Sequence, residues 1–313
     1  KKSNAILKMN NRKKKGRNID GWLLVDKPEG LSSTAVVNKI KWCFDAKKAG
    51  HSGTLDPAAT GLLAIALGEA TKTIPIITES LKSYDFIINL GSQTNTDDME
   101  GEIIETSTFR PSKEDIMQAL TKFRGHIKQV PPQFSAVKIN GERAYAKARK
   151  GELLELKSRP LLVNSLNIIK IHNENSISLR MECGKGGYVR SIARDLGIEL
   201  GCLAHVQSLR RTISGPFNIS EANAYDLFKL AGKDLSLDRL LLPLELGLTG
   251  LTELTTNLEG AIQLRQGQPL KIPNCELADD TLAWVSSDSR AIAMVTYKAG
   301  NLYPSRVFSQ NDY

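Results

Sequence analysis

An apolar run, Gly61–Leu67, follows at once on a loop of small and turn-forming residues, His51–Thr60. The run reads as a strand and the loop as a tight turn into it. Upstream, Gly21–Asp26 reads as a short buried strand, stopped by Lys27-Pro28-Glu29-Gly30. Ser32 or Ser33 can then cap a helix whose apolar residues are Val36, Val37, Ile40 and Phe44. Strands are expected at Tyr84–Leu90 and Gly101–Thr106, with a polar loop, Ser92–Glu100, between them. Pro111 is placed to open a helix with Ile116, Leu120 and Phe123 on one face. Pro131-Pro132 is extended, and Arg143–Arg149 reads as a strongly basic helix. Strands at Leu161–Ile171, Ser176–Cys183 and Ala204–Ile213 accompany an amphipathic helix, Tyr188–Leu200, introduced by Gly184, Gly186 and Gly187. Strand pairs with inserted helices, rather than regular βαβ alternation, predict an α+β fold: a mixed, mostly antiparallel sheet flanked by helices.

Composition narrows the class. The 313 residues are 41% hydrophobic and 24% charged, a globular balance with room for one large domain or two unequal ones. No apolar run is long enough for a membrane helix, and the basic, polar start predicts no secretory leader, so a cytoplasmic setting is expected. Cys43, Cys183, Cys202 and Cys275 lie far apart with no CxxC pair. With only four histidines beside them, neither a disulfide framework nor a His/Cys metal site is expected. Around Leu241–Leu251 the chain becomes a Leu/Gly/Pro-rich link, followed by a short helix, Leu258–Arg265, and several short strands to Phe308. The expected division is a basic, disordered tail over 1–18, a main domain over 19–245, and a small β-rich domain over 246–313.

The net charge of +8 is unevenly spread. Residues 1–19 carry eight basic side chains and no acid, and residues 110–170 carry thirteen basic against five acidic. The second segment interleaves its cations with Phe123, His126, Phe134 and Tyr145. Phosphate-reaching residues beside stacking residues are the pairing that unstacked RNA requires. Residues 110–160 are therefore read as an RNA-gripping insertion. For the tail, a solvated basic segment is an equal reading.

The densest phrase is Gly50-His51-Ser52-Gly53-Thr54-Leu55-Asp56-Pro57. Two glycines, a proline and small hydroxyls build a turn that lets a ligand approach the backbone. Asp56, biased toward extended backbone by Pro57, sits at the lip of the strand that follows. A carboxylate there can act as nucleophile or general base, or simply cap a turn. Other chemistries lack their motifs. There is no G-x-x-x-x-G-K-[ST], no G-x-S-x-G, and Gly184-Lys185-Gly186-Gly187 does not complete G-x-G-x-x-G. A single carboxylate without cofactor or metal remains.

Gly50–Pro57, with Ala59-Thr60-Gly61-Leu62-Leu63 and Leu67-Gly68-Glu69-Ala70-Thr71-Lys72, closely resembles the tRNA pseudouridine synthase B (TruB) family. Further blocks resemble it in order: Asp26–Ser33; Leu90-Gly91 with Thr94, Thr96, Asp98 and Gly101; Val130-Pro131-Pro132 through Ala148-Arg149; and Gly187–Gly197. The resemblance spans roughly residues 20–245, and more weakly the remainder, which is similar to the family's PUA-type RNA-binding domain. It implies isomerisation of uridine 55 in the tRNA T-loop to pseudouridine, with no cofactor, no guide RNA and no obligatory protein partner, by a monomer. Asp56 matches the family's essential aspartate, Tyr84 the tyrosine that stacks on the target base, and Arg190 the arginine paired with the aspartate. Tyr188 and Leu209 match substrate contacts, and His51 the histidine that fills the space left by the flipped base. Lys27 matches a lysine that either contacts substrate or holds structure. Arg143, Lys147 and Arg149 are expected to grip T-arm phosphates. Two alternatives stand beside this reading: an RNA-guided, dyskerin-type synthase, and a tRNA-folding RNA chaperone.

Overall fold

The computed structural model describes residues 16–135, 138–139, 142–144, 154–273 and 275–309. In chain order the strands of the larger part are β1 (Gly21–Lys27), β2 (Ala49–His51), β3 (Thr60–Leu67), β4 (Lys82–Leu90), β5 (Ser92–Thr94), β6 (Ile103–Thr106) and β7 (Gly125–Gln129). They continue as β8 (Lys138–Ile139), β9 (Glu142–Arg143), β10 (Arg159–Asn173), β11 (Ser176–Cys183), β12 (Ala204–Ser214), β13 (Phe217–Asn218) and β14 (Asn223–Ala224). A ten-stranded sheet runs β14-β1-β3-β12-β4-β11-β10-β7, with β2 added to β3 and β13 to β12. Only β1–β14 and β3–β12 pair in parallel, so the sheet is mixed and mostly antiparallel, as expected.

β1 and β3 are buried on both faces, which is why their sequences are continuous apolar runs rather than alternating ones. One face, with Leu23, Val25, Leu63 and Ile65, packs on the helix Ser33–Cys43 through Val36, Val37 and Ile40. The other face, with Trp22, Leu24, Leu62 and Ala64, packs on Ile77 and Phe217. The far half of the sheet covers its core with the helices Lys113–Thr121 and Val189–Glu199, which bury Ile116, Leu120, Ile192 and Leu196 against Phe86, Leu179 and Leu166. The Ser33–Cys43 helix starts where Ser32 accepts the Ala35 N–H, the expected cap.

Several expectations change. The helix expected from Pro111 begins at Lys113, because Ser112 and Asp115 form a reciprocal capping box that sets the first turn. It ends at Thr121, so Phe123 packs on the core from outside it. The loop Ser92–Glu100 contains a strand, β5, which pairs with β6 in a small separate ribbon. Arg143 ends β9, paired with β8, so the helix expected from it starts one residue later. Ala144, directly after it, is helical, and residues 145–149, including Lys147 and Arg149, lie outside the described residues, as does the tail through residue 15.

The second sheet runs β15 (Thr252–Thr255), β17 (Leu282–Ser287), β18 (Arg290–Lys298), β19 (Asn301–Val307) and β16 (Leu270–Lys271), covered by the helix Leu258–Arg265. The link before it is more than a tether. Leu242 exchanges backbone hydrogen bonds with Trp22, and Leu244 and Leu248 pack with Trp284, Met294 and Phe308 between the two sheets. Glu69 and Lys72, just after β3, close the same junction: Lys72 donates to the Val307 carbonyl at 2.7 Å and Glu69 accepts the Ser309 N–H at 2.7 Å. No helix among the described residues is long and apolar enough to cross a membrane.

Leu179 lies in the middle of β11, fully buried against both covering helices. Leu179→Ala should cost about 3 kcal/mol, against about 1 kcal/mol for Ser112→Ala at the capping box, in urea unfolding. Equal losses would overturn the placement of the core. Lys82, buried, donates to the carbonyls of Ile77, Thr78 and Ser80 and so closes the end of the helix Ile74–Glu79. Burial lowers its pKa to about 8. The folded chain therefore releases this proton before the unfolded chain does, and its contribution to stability rises with pH from about 8 to the ordinary lysine value of 10.5. Unfolding free energies at pH 8 and pH 10 should show that rise in the native chain and a flatter profile in Lys82→Met.

Candidate active site

The loop between β2 and β3 occupies the place where the sheet divides. β3 and β12 pair only at Thr60↔Arg210 and Gly61↔Arg211, whereas β12 runs along β4 for its whole length. Gly61 has φ +98°, and a Cβ there would lie 2.3 Å from the Arg211 carbonyl oxygen, so the close approach of the strands requires glycine. The loop thus leaves β2, crosses the opening between β3 and β12, and presents Asp56 there.

Asp56 meets Arg190 across the opening. Arg190 stands in the first turn of the helix Val189–Glu199, and its Nη2 lies 2.7 Å from Asp56 Oδ2. The two side chains differ in environment: Arg190 is 7% exposed and Asp56 is 41% exposed. Arg190 also donates to the carbonyls of Thr96 (3.1 Å) and Phe134 (3.0 Å), and its Nε lies 3.6 Å from Asp98 Oδ2. A buried guanidinium with this many acceptors is held in one orientation. The carboxylate it orients keeps an open side.

That open side faces a cavity of about 260 Å³. Asp56, Tyr84, Tyr188, Arg190 and Leu209 all line it, so the structure brings together five residues expected from the sequence. Tyr84 comes from β4 and Leu209 from β12, while Tyr188 caps the helix that carries Arg190. Gln129 fixes the Tyr188 backbone by accepting its N–H at 2.9 Å and donating to its carbonyl at 3.1 Å. Burial raises the pKa of both tyrosine hydroxyls; for Tyr84 the Arg211 cation opposes that effect. Both phenols are therefore neutral near pH 7, available as rings and hydrogen-bond groups.

His51 lies on another side of the same loop. It lines a separate cavity of about 510 Å³ together with Ser33, Thr96, Phe134, Asp56 and Arg190. Its Nδ1 accepts the Gly53 N–H at 3.3 Å, and burial, then the Arg211 charge, lower its pKa. Lys27 is not among the residues that line the cavity of Asp56 and Tyr84. It is fully buried, and its ammonium donates to the carbonyls of Pro28 (2.8 Å), Leu31 (2.8 Å) and Pro57 (3.1 Å). With those three hydrogen bonds made it has no donor left for a ligand, and the bond to Pro57 holds the loop beside Asp56. Its pKa falls to about 8, chiefly through burial. Arg143 lies in β9, and Lys147 and Arg149 lie outside the described residues.

Two cavity residues were not singled out from the sequence. Lys82 and Arg211 line the same cavity as Asp56, both almost fully buried. Arg210 and Arg211 are adjacent in β12. In the structure Arg210 pairs with Asp26 at 2.7 Å near the surface, whereas Arg211 turns inward. Strand alternation is the one signal that separates them, and it does not say which face is the core.

Comparison with known proteins agrees with this geometry. Residues 41–189 match the family model described as TruB family pseudouridylate synthase (N terminal domain), and residues 190–249 match the tRNA pseudouridylate synthase B C-terminal domain. A protein of Dinoroseobacter shibae named tRNA pseudouridine synthase B is 56% identical over 297 residues, 95% of this chain and 98% of that one. One of the same name from Ruegeria sp. (strain TM1040) is 55% identical over 300 residues, 96% of this chain and 99% of that one. Among solved structures, an H/ACA ribonucleoprotein bound to a substrate RNA containing 2′-deoxyuridine has a chain of similar fold. Its TM-score is 0.71 at 22% identity, over 93% of this chain and 86% of that chain. A shared fold, matched family models and more than half of all residues identical over nearly the full length together make this chain a member of the TruB family of pseudouridylate synthases.

Proposed function

We propose that this protein isomerises uridine 55 in the T-loop of tRNA to pseudouridine, as a stand-alone enzyme that needs neither guide RNA nor cofactor. The observation that carries the reading is the half-exposed Asp56 carboxylate, clamped at 2.7 Å by a buried arginine beside a cavity walled by two tyrosines. The reaction breaks the N1–C1′ bond, turns the base and forms a C5–C1′ bond. Substrate and product have the same formula, so no redox partner is consumed. Asp56 is the one carboxylate lining the cavity among the described residues. It is the group assigned to C1′ or C6 of the uridine, or to a proton at C2′, during cleavage. Arg190 holds that carboxylate in register.

A uridine inside a folded T-loop must leave its stack before it reaches such a cavity, at a cost of a few kcal/mol. The ring of Tyr84 would return about 1–3 kcal/mol by stacking. Tyr188 and Leu209 would enclose the rest of the base, and His51 would occupy the space the base leaves. Arg143, Lys147 and Arg149 in the basic segment would hold phosphates along the T arm, and the C-terminal sheet would extend the contact as a PUA-like unit.

Two experiments test the reading. Unmodified tRNA transcript incubated with the protein alone should gain pseudouridine at position 55. Asp56→Asn should bind the transcript within a few-fold of the native affinity and yield no product; product from Asp56→Asn would exclude the assigned role. The logarithm of tRNA affinity should fall linearly with the logarithm of salt concentration, and reversing the charge of Arg143, Lys147 and Arg149 should flatten the slope by about 0.7–0.9 per lost contact. An unchanged slope would remove these three residues from the phosphate contacts.

A further inference from the structure

We propose that Arg211 is a positioning residue that ties the Asp56 loop to Tyr84 and lays positive charge under the departing base; this rests on the function proposed above. Arg211 is 1% exposed. Its Nε donates to the Leu62 carbonyl at 2.8 Å and its Nη2 to the Gly53 carbonyl at 2.9 Å. One rigid guanidinium plane therefore bridges β3 and the loop three residues before Asp56. Both glycines bounding that loop are shaped to it. A Cβ at Gly53 would lie 3.1 Å from Arg211 Nη1, and one at Gly61 would overlap the Arg211 carbonyl. On the neighbouring strand, Arg211 stands directly opposite Tyr84, and directly opposed residues share a face of the sheet. The loop of the carboxylate and the ring of the tyrosine thus rest on the same side chain.

Its charge differs in kind from that of Arg190. Arg190 is matched by Asp56 and Asp98, and the cavity-lining Lys185 pairs with Glu79. Arg211 and Lys82 are met by backbone carbonyls, and Asp56, the one carboxylate lining the cavity among the described residues, is engaged by Arg190. The wall that holds Arg211 and Lys82 is therefore net positive, and both cations are buried, where a fixed charge acts more strongly than in water. When the N1–C1′ bond breaks, its electron pair passes to the base and the negative charge spreads over N1, O2 and O4. C1′ is left electron-poor beside the Asp56 carboxylate. When C5 bonds to C1′ the pair returns to that new bond; the C5 proton then leaves to a base and N1 takes up a proton, so the product has the formula and charge of the substrate. A positive wall favours the charge-separated stage over the bound uridine, which is the condition for raising the rate of cleavage rather than the affinity.

The test compares Arg211→Gln, which keeps a planar amide but loses the charge, with Arg211→Lys, which keeps the charge but loses the fork. Each is measured for melting temperature, tRNA affinity and single-turnover pseudouridine formation. Gln should lower the single-turnover rate by about 100-fold at affinity within about twofold of native. Lys should recover about tenfold of that loss. A rate unchanged in Gln, or Gln and Lys equally slow, would overturn the electrostatic role. Gly53→Ala leaves the arginine in place and crowds its Nη1, and so serves if the arginine variants fail to fold. It should slow single turnover by about tenfold without changing affinity, and a native rate would overturn the positioning role. Native enzyme runs beside all three: no product from it would reject the proposed function, whereas product from it with unaffected variants would reject only the assignment to Arg211.

Discussion

A buried guanidinium must find acceptors for its donors, and Arg190 finds them in three separate stretches of chain. Asp56 comes from the loop before β3, Thr96 and Asp98 from the loop after β5, and Phe134 from the segment after Pro131-Pro132. None of these is near Arg190 in sequence. The desolvation cost of leaving any N–H unmet is what draws the three stretches together, so the site and the local fold are the same structure. The carboxylate gains orientation from this arrangement while staying partly in water. A group that is oriented and still reachable is what chemistry on a large substrate requires.

The same device recurs with carbonyls in place of carboxylates. Lys27 gathers Pro28, Leu31 and Pro57; Lys82 gathers Ile77, Thr78 and Ser80; Arg211 gathers Leu62 and Gly53. Lys27 and Lys82 close a loop and a helix end, and Arg211 ties the Gly53 loop to strand β3 through backbone oxygens. Part of the cavity wall is irregular backbone, the Ser52–Asp56 and Gly184–Gly187 stretches, and irregular backbone inside a protein has to be satisfied by side chains. Cations with several donors do this economically. Around the cavity they also leave a surplus of positive charge where an RNA base is proposed to enter, so the stability of the loops and the electrostatics of the site have a common source.

Much of this was legible in the residues, and the parts that were not share a physical character. The double-faced burial of β1 and β3 shows as unbroken apolar runs, the Ser32 cap shows as a serine before a helical pattern, and the Asp56 loop shows as clustered glycine, hydroxyl and proline. Elements whose signal is local were placed within a few residues. The helix starts at Lys113 rather than at Pro111 because the reciprocal bonds between Ser112 and Asp115 outrank the preference for proline in the first turn. β5 was missed because a short polar strand has no periodicity to read. The link after Leu241 looked like a tether because its leucines meet partners from both sheets, which no single window contains. Lys27 and Arg211 show the limit most clearly. A lysine or arginine reads the same in sequence whether it faces water or three carbonyls.

By itself the sequence determined the α+β class, the apolar strands that build the core, the turn that presents Asp56, and membership of a family through ordered blocks of residues. Local preference and hydrophobic pattern suffice for those, since each depends on neighbours in the chain. Tertiary structure decided which cations are buried, that Arg190 reaches Asp56 at 2.7 Å, that Arg211 faces inward while Arg210 faces out, and that Tyr84, Tyr188 and Leu209 close one cavity. Those outcomes depend on register between strands distant in the chain. A shift of one residue in β12 would exchange Arg210 and Arg211, and only the packed sheet selects between them.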